Sequence, residues 1–272
     1  RALAPRPTTT EKEAETTIRR DKWPRRWPSR RGLCLENESE VEAIANGRAA
    51  GLSAYCEAKL EKDATTKEAF YVVDVGAVEK LYVHFREAMP SVEPFYAVKC
   101  FPNARVVETL ARLGCGFDCA SRCEAASVLR HADARNVIFA NPCKRLSDID
   151  FLLEKRIPFT TFDSVCEVDK IADRVLLLDR CPAPGLVLRI RADDPASKLP
   201  FGAKYGALPD EVPTLLAAAT RRHLRVVGVS FHVGSGARTA DAYAAAVRAA
   251  SRVPVDEWLV LDIGGGMCGD FD

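Results

Sequence analysis

The chain has 272 residues and a mass of 29.8 kDa, which is enough for one large domain or two small ones. Its 47% hydrophobic and 28% charged residues are typical of a globular protein and exclude a mostly disordered or collagen-like chain. Because 39 Lys and Arg balance 38 Asp and Glu, the net charge is only +1. This charge gives no general attraction to nucleic acid or to a membrane surface, and we expect neither as a partner.

The first 33 residues differ from the rest in charge and pattern. They contain ten Lys and Arg against four Asp and Glu, a net charge of +6, with little apolar periodicity. This composition predicts a disordered basic extension over residues 1–33. Glu11, Glu13 and Glu15 argue against a transit peptide, because such peptides contain few acidic residues. Since the chain starts with Arg and has no signal segment, we expect a fragment or processed form of a cytoplasmic protein.

The ten cysteines raise the question of disulfides or a metal site. A disulfide scaffold is typical of much shorter secreted chains, so we expect reduced thiols. Cys115, Cys119 and Cys123 are separated by three residues each, which does not match the paired ligands of zinc sites. We interpret them as small buried hydrophobic residues and predict no metal.

Apolar runs alternate with amphipathic segments from about residue 68 onward. The first run, residues 70–74, is interpreted as a lead-in strand. Seven further runs are rich in Val, Ile and Phe, as expected for strands buried on both faces of a parallel sheet: residues 94–99, 116–120, 136–141, 159–163, 185–190, 226–233 and 258–263. Apolar residues at helical spacing predict helices between them at 104–114, 123–132, 146–155 and 241–252.

This alternation predicts the α/β class, in which a doubly wound sheet and a (β/α)8 TIM barrel compete. Polar residues follow seven successive runs: Lys99, Asp118, Asn141, Asp163, Arg189, His232 and Asp262. Strand ends converge on one mouth in a barrel, whereas a doubly wound sheet concentrates its ligand residues at one switch point. We therefore predict that residues 75–272 form a barrel. Since seven strands are found and eight are needed, we expect the chain to end before the last strand.

Two features of this mouth indicate chemistry. Lys99 ends an apolar strand, and a lysine removed from water loses its proton more easily and becomes a nucleophile. A lysine that extends out of the mouth is the competing interpretation. The segments HVGSG (232–236) and GGG (264–266) follow neighbouring strands, where backbone N–H groups can approach a phosphate closely. Neither segment matches a phosphate-binding GxxxxGK[ST] loop or a dinucleotide GxGxxG motif.

The segments PFYAVKC, GFDCASRCE, FANPCK, TTFDS, LVLRI, SFHVGSG and LDIGGG occur in this order between residues 94 and 266. Together they resemble the signature segments of eukaryotic ornithine decarboxylases, which are pyridoxal-phosphate (PLP) enzymes of the alanine-racemase-like class. The resemblance runs from about residue 68 to residue 269. It implies a PLP-binding barrel and a second, β-rich domain to which residues 34–74 contribute.

The resemblance also implies roles for individual residues. Lys99 matches the lysine that binds PLP covalently and His232 the histidine stacked on the PLP ring, so these two positions are the catalytic candidates. The other cofactor-binding candidates are Asp118, Glu124, Arg189, Ser235, Gly265 and Gly266. Lys204 matches a lysine that reaches the partner subunit. The tripeptides FPN after Cys100 and MCG after the glycines depart from the family pattern.

The family pattern implies decarboxylation of L-ornithine to putrescine by a homodimer with shared active sites, and regulation by antizyme. It places further catalytic groups beyond residue 272, among them a catalytic Cys and a substrate-binding Asp, so the 272 residues alone are expected to be inactive. Two alternatives remain open. One is a sibling decarboxylase acting on lysine, diaminopimelate or arginine. The other is a non-catalytic regulator similar to the antizyme inhibitors.

Overall fold

The computed structural model describes residues 49–62, 71–178, 181–192, 197, 204–237, 239–255 and 257–267. The basic extension predicted over residues 1–33 lies outside these ranges and stays a prediction. The same is true of most of the lead-in segment 34–74 and of its assignment to a second domain. Within the described ranges, no helix is both long enough and apolar enough to cross a bilayer.

Seven parallel strands form one sheet whose spatial order follows the chain order. They are β1 (Phe95–Ala97), β2 (Gly116–Cys119), β3 (Val137–Phe139), β4 (Phe159–Phe162), β5 (Gly185–Arg189), β6 (Val226–Ser230) and β7 (Val260–Asp262). A doubly wound sheet reverses its order at a switch point, whereas a barrel does not. The predicted barrel architecture is therefore confirmed, and the described residues supply seven of the barrel strands.

The helices run between and before these strands. They are α1 (Ala49–Lys62), α2 (Val75–Ala88), α3 (Ala104–Arg112), α4 (Arg122–Val128), α5 (Leu146–Glu154), α6 (Val165–Leu177), α7 (Val212–Arg221) and α8 (Ala240–Ala250). The four helices predicted from apolar spacing, α3, α4, α5 and α8, are confirmed with small changes at their ends. Helices α1, α2, α6 and α7 were not predicted.

The predicted lead-in strand at 70–74 is wrong for the part that the structure describes. Residues 71–74 have no regular secondary structure and lead directly into α2. Asp74 caps this helix, because its carboxylate accepts a hydrogen bond from the Ala77 N–H at 2.9 Å. The apolar run therefore leads into a helix start, and its exposed Tyr71 pairs with none of the described strands.

The core lies between the sheet and its surrounding helices. Phe117, Phe139 and Phe162 are fully buried on β2, β3 and β4, and Leu186 and Leu188 continue this layer on β5. Full burial of one such side chain contributes about 1.5–3 kcal/mol. The outward direction of these residues leaves the alternate positions of each strand facing the barrel interior.

The described cysteines are free thiols. Cys115 and Cys119 are buried, as predicted for small hydrophobic residues. Cys123 is exposed, so the same prediction is wrong there. The reason is its place in the first turn of α4, where the buried positions are Ala125 and Val128.

Candidate functional site

The carboxyl ends of the seven strands lie along one edge of the sheet, because all pairs are parallel. The polar residues predicted to line this edge are found at or just after the strand ends. Four of them act on one another electrostatically: Lys99, Asp118, Arg189 and Asp262. The edge is therefore a charged mouth above an apolar barrel.

Lys99 lies at this mouth, but not in the strand. Strand β1 ends at Ala97, and residues Val98–Cys100 form a single 3-10 turn. The turn buries Val98, which is 1% exposed, and leaves Lys99 exposed. The prediction that Lys99 is buried at the strand end is thus wrong. Although the residue is exposed, the charge of Lys99 acts on Asp118, His232 and Asp262.

Asp118 alternates with the buried Phe117 and Cys119 on β2, so its side chain faces the barrel interior. Its Oδ1 atom is buried and has no hydrogen-bond partner among the described residues. Burial raises the pKa of Asp118 from 3.8 to about 7, although the nearby Lys99 ammonium acts in the opposite direction. A buried carboxyl oxygen without a partner is costly, which indicates that another group completes this site.

Three neighbouring strands place a row of polar side chains at the same height. The register pairs Arg189 with Ser230 and Ser230 with Asp262, so the three lie side by side on β5, β6 and β7. The Ser230 hydroxyl is buried and has no partner within the described residues. Burial raises the pKa of Asp262, while the Gly264 N–H, 2.8 Å from its Oδ1, and the charges of Arg189 and Lys99 lower it.

A turn after β5 covers Arg189. The Tyr205 ring lies 5.0 Å from the Arg189 guanidinium carbon and 5.3 Å from the Lys204 ammonium. The turn is fixed by Asp163, whose Oδ2 accepts a hydrogen bond from the Gly206 N–H at 2.9 Å. Contacts of this kind favour a fixed orientation of the guanidinium. The predicted role of Lys204 at a partner subunit stays a prediction.

His232 follows β6 and is half-buried. Its Nδ1 accepts a hydrogen bond from the Gly234 N–H at 3.0 Å, which fixes the ring relative to the HVGSG loop. Burial, together with the positive charges of Arg189 and Lys99, lowers the pKa of His232 from 6.5 to about 4. The imidazole is therefore neutral at physiological pH and presents an uncharged aromatic face.

The two glycine segments form one cradle beside this ring. The Ala237 N–H donates to the Gly266 carbonyl at 2.9 Å, which joins the loop after β6 to the loop after β7. Gly234, Gly264 and Gly266 all have positive φ angles, which L side chains rarely adopt. A Cβ atom on Gly264 would lie 2.4 Å from the Phe231 carbonyl oxygen. Glycine is thus required at these positions. Ser235 directly follows Gly234 in the loop after β6.

Glu124 has a structural role that the sequence analysis missed. Ser121 and Glu124 form a reciprocal cap of α4: the Ser121 Oγ accepts from the Glu124 N–H at 3.3 Å, and Glu124 Oε2 accepts from the Ala120 N–H at 2.7 Å. The spacing Ser-x-x-Glu before a helix is the sequence signal of this arrangement. The cap holds the negative charge of Glu124 near Asp118, whose pKa it raises.

The structure therefore brings together most of the predicted site. The two clusters are the charged and aromatic residues Lys99, Asp118, Arg189 and His232, and the cradle of Ser235, Gly265 and Gly266. Ser230 and Asp262 were absent from the predicted cofactor set. Asp262 was visible as a polar strand end, whereas Ser230 was hidden because its position becomes informative only through the register of β5, β6 and β7.

Residues 75–272 match the family of the pyridoxal-dependent decarboxylases, in its pyridoxal-binding domain. The chain belongs to this family. An ornithine decarboxylase of the chloroplast from Nicotiana glauca is 43% identical over 209 residues, covering 74% of the chain and 47% of the relative. Antizyme inhibitor 2 of Xenopus laevis is 39% identical over 214 residues, covering 76% of the chain and 45% of the relative. The chain thus spans about half the length of these curated relatives.

Solved structures of decarboxylases have the same fold. The arginine decarboxylase of Paramecium bursaria Chlorella virus matches 80% of the chain and 59% of its own, with 34% identity and a TM-score of 0.74. This similarity supports the barrel described above.

The residues present fit the PLP cofactor of the family. A phosphate needs several backbone N–H groups without side chains in the way, and the cradle around Ser235 and Gly266 offers such a surface. An aromatic pyridine ring needs a flat neighbour, and the neutral His232 ring lies beside the cradle. The uncompensated Oδ1 of Asp118 and hydroxyl of Ser230 offer further buried polar contacts.

Proposed function

We propose that the protein catalyses the PLP-dependent decarboxylation of L-ornithine to putrescine. The observation that carries this proposal is the combination of Lys99 at the barrel mouth with a neutral His232 and a glycine cradle on adjacent strands. Relatives named ornithine decarboxylases at about 40% identity support the choice of substrate.

Each site residue has a proposed task in holding the cofactor. Lys99 binds the aldehyde carbon, since its exposed amine is free to reach a ligand in the mouth. The N–H groups around Ser235, Gly265 and Gly266 bind the phosphate. His232 packs on the ring, because burial keeps its imidazole uncharged at pH 7.

The acidic residues and Arg189 set the electrostatics of the mouth. Asp118 and Asp262 face the positive charges of Lys99 and Arg189 in a partly buried site. This balance lets Asp118 hold or release a proton near neutral pH, because its pKa is about 7. Glu124 adds negative charge from the capped start of α4.

When bound, PLP accepts the electron pair of the bond between Cα and the leaving carboxylate. The products are CO2 and putrescine, because a proton takes the place of the carboxylate at Cα. The residues of the mouth hold the substrate. The Lys99 amine would hold the cofactor at its aldehyde carbon, the position that the substrate amine would take.

We also propose a homodimer with shared active sites, regulation by antizyme, and a cytoplasmic location. The proposal of shared sites is supported by the open mouth, where Phe101 and Tyr205 are exposed large apolar residues. Residues 34–74 are proposed to contribute to a second, β-rich domain.

A non-catalytic regulator is the second candidate, because antizyme inhibitor 2 is among the similar relatives. A sibling decarboxylase for arginine or lysine is the third, since solved relatives have these names. The three candidates differ in cofactor binding and in substrate. The regulator has no turnover, and the siblings prefer another amino acid.

The test is to express the protein from its complete transcript, load it with PLP and measure CO2 and diamine release from ornithine, lysine and arginine. We expect release of putrescine from ornithine at least 10-fold faster than product release from the other two. The Lys99→Ala variant serves as the inactive control. Absence of both PLP binding and turnover of any amino acid would support the regulator, and preferential turnover of arginine or lysine would support a sibling.

A further inference from the structure

A second lysine lies near the site, fully inside the protein. The Lys144 side chain is 0% exposed and pairs with Glu167, which is 1% exposed, at a distance of 2.9 Å between Nζ and Oε1. Lys144 follows β3, whereas Glu167 lies in the first turn of α6, after β4. The pair therefore connects two successive βα units immediately beneath the mouth.

The ammonium group of Lys144 has all its donors satisfied. Its three N–H groups match three acceptors: Glu167 Oε1 at 2.9 Å, the Asn141 carbonyl at 2.9 Å and the Thr161 carbonyl at 2.8 Å. These acceptors belong to α6, to the loop after β3 and to β4. One side chain thus holds the carboxyl ends of two strands and the start of one helix at fixed separations.

Glu167 is also fully engaged. Its Oε1 accepts a second hydrogen bond from the Lys144 backbone N–H at 3.2 Å, and its Oε2 lies 2.6 Å from the Lys170 ammonium. Lys170 donates in turn to the Lys144 carbonyl at 2.6 Å. The loop containing Lys144 is therefore fixed through its backbone as well as its side chain.

The network continues to the cofactor residues through Asn141. Its Nδ2 donates to the Ala120 carbonyl at 3.1 Å, and the Ala120 N–H donates to Glu124 Oε2 at 2.7 Å. Ala120 comes two residues after Asp118. A displacement of the loop after β3 would therefore move the end of β2 and the α4 cap.

We propose that Lys144 is a positioning residue of the PLP site: it fixes the loop after β3 so that Asn141 holds the end of β2, with Asp118 and Glu124, in the geometry that binds the cofactor. The proposal rests on the proposed PLP function of this mouth. Lys144 itself does not contact the cofactor, because it lies below the loop and its three donors are in use.

Physical reasoning favours positioning over stability as the role of this pair. Removing two charges from water costs several kcal/mol per ion, and apolar replacements of a buried pair are often neutral or stabilising. A lysine at this position is thus not needed to fill space. What an apolar side chain cannot supply is the set of directed hydrogen bonds to two strand ends.

The test compares cofactor binding with stability in the protein expressed from its complete transcript. The double variant Lys144→Met/Glu167→Leu removes both charges and keeps most of the volume, so it avoids a lone buried ion. We expect its melting temperature without PLP to change little. We expect its dissociation constant for PLP to rise about 10-fold, which is the smaller of the losses in affinity seen when residues that orient metal ligands are mutated. We also expect the visible circular dichroism of bound PLP to weaken.

The matched control is Arg174→Met/Asp150→Leu. This partly exposed pair joins two adjacent helices, with the Arg174 Nε 2.5 Å from Asp150 Oδ1 and its Nη2 2.8 Å from Oδ2. It connects α5 to α6 and donates to neither strand end. We expect PLP affinity and circular dichroism to stay unchanged. A role limited to general helix packing would affect both double variants alike.

A single variant at Asn141 tests the next step in the network. Asn141→Ala removes the hydrogen bond to Ala120 and the bond that Asn141 Oδ1 accepts from the Cys143 N–H, and it leaves both side chains of the Lys144–Glu167 pair in place. Because Asn141 is only half-buried, we expect this variant to fold. We expect a rise of roughly 2- to 13-fold in the PLP dissociation constant, because one net hydrogen bond is worth about 0.5–1.5 kcal/mol.

PLP affinities of the Lys144→Met/Glu167→Leu and Asn141→Ala variants within 2-fold of the unchanged protein would overturn the positioning role. If these variants also turn over ornithine normally, only the positioning role is overturned and the proposed function survives. If the double variant does not fold, the Asn141→Ala measurement decides alone. Absence of PLP binding by the unchanged protein would overturn the proposed function and the positioning role together.

Discussion

A Cβ atom on Gly266 would lie 1.9 Å from the carbonyl oxygen of Gly234. The loops after β6 and β7 therefore touch at a point where only hydrogen fits. The same contact is supported by the hydrogen bond from the Ala237 N–H to the Gly266 carbonyl. The two glycine segments, 32 positions apart at these residues, behave as one structural unit.

We expect Gly266→Ala to separate these loops. The methyl group collides with a backbone atom, and the φ angle of 92° is unfavourable for alanine by about 1–3 kcal/mol. PLP affinity should fall roughly 10-fold or more, measured by titration of visible absorbance. In Gly265→Ala the new methyl group lies 3.8 Å from His232 Nε2, an ordinary contact, so the apo melting temperature should hold. Equal melting temperatures and PLP affinities for both variants would contradict the close approach.

Lys99→Ala is expected to abolish covalent PLP attachment. Lys99 is the exposed lysine whose charge acts on Asp118, His232 and Asp262. Borohydride reduction followed by peptide mapping should place the label on Lys99 in the unchanged protein and give no label in the variant. Lys204→Ala is the matched control and should retain the label. A label on a different lysine would refute the assignment.

His232→Ala should reduce PLP affinity more than it reduces stability. Aromatic stacking contributes about 0.5–1.5 kcal/mol, so the dissociation constant should rise roughly 2- to 13-fold. Because burial lowers the pKa of His232 to about 4, the loss should be the same at pH 6 and pH 8. The exposed His131→Ala is the control. A large loss of apo stability with normal PLP affinity would instead identify His232 as a packing residue.

Asp118→Asn should stabilise the protein without PLP at alkaline pH. Burial raises the pKa of Asp118 to about 7 from 3.8, so between pH 4 and 7 the folded state binds more protons than the unfolded state. Stability therefore falls as pH rises through this window, and the cost is fully present above pH 7. The neutral amide avoids this cost.

The measurement for Asp118→Asn is thermal unfolding at pH 4 and pH 8. We expect a gain of about 1 kcal/mol or more at pH 8, roughly 2–4 °C, and almost none at pH 4. Asp133→Asn is the control, because the hydrogen bond from Arg135 lowers the pKa of this exposed carboxyl. A pH-independent effect at Asp118 would show that its carboxyl is not the buried group described.

Sequence patterns predicted the strands well because a parallel sheet buries both faces, which produces continuous apolar runs such as the one around Leu186 and Leu188. They also predicted the polar strand ends, since chain order and spatial order coincide. The exposure of Lys99 could not be predicted, because it depends on the 3-10 turn, which buries Val98 and leaves Lys99 exposed.

Two further features depend on contacts between distant parts of the chain. Ser230 becomes part of the mouth only through its register with Arg189 and Asp262. In the sequence Lys144 is one residue of the segment FANPCK, and only the structure shows that it pairs with Glu167, 23 positions away. The helix α6 that contains Glu167 was not predicted, although Ser164 and Glu167 have the capping spacing that announces a helix start.

The chain-order sheet has a consequence for how the protein opens. Each βα unit packs on its sequence neighbours, so a ligand held by residues after both β1 and β7 joins the first and the last described units of the sheet. The proposed ligand contacts come from just these places, Lys99 after β1 and Gly266 after β7. Cofactor binding should therefore slow hydrogen exchange and proteolytic cleavage most strongly in the loops after β1 and β7, and much less in β3 and β4 between them.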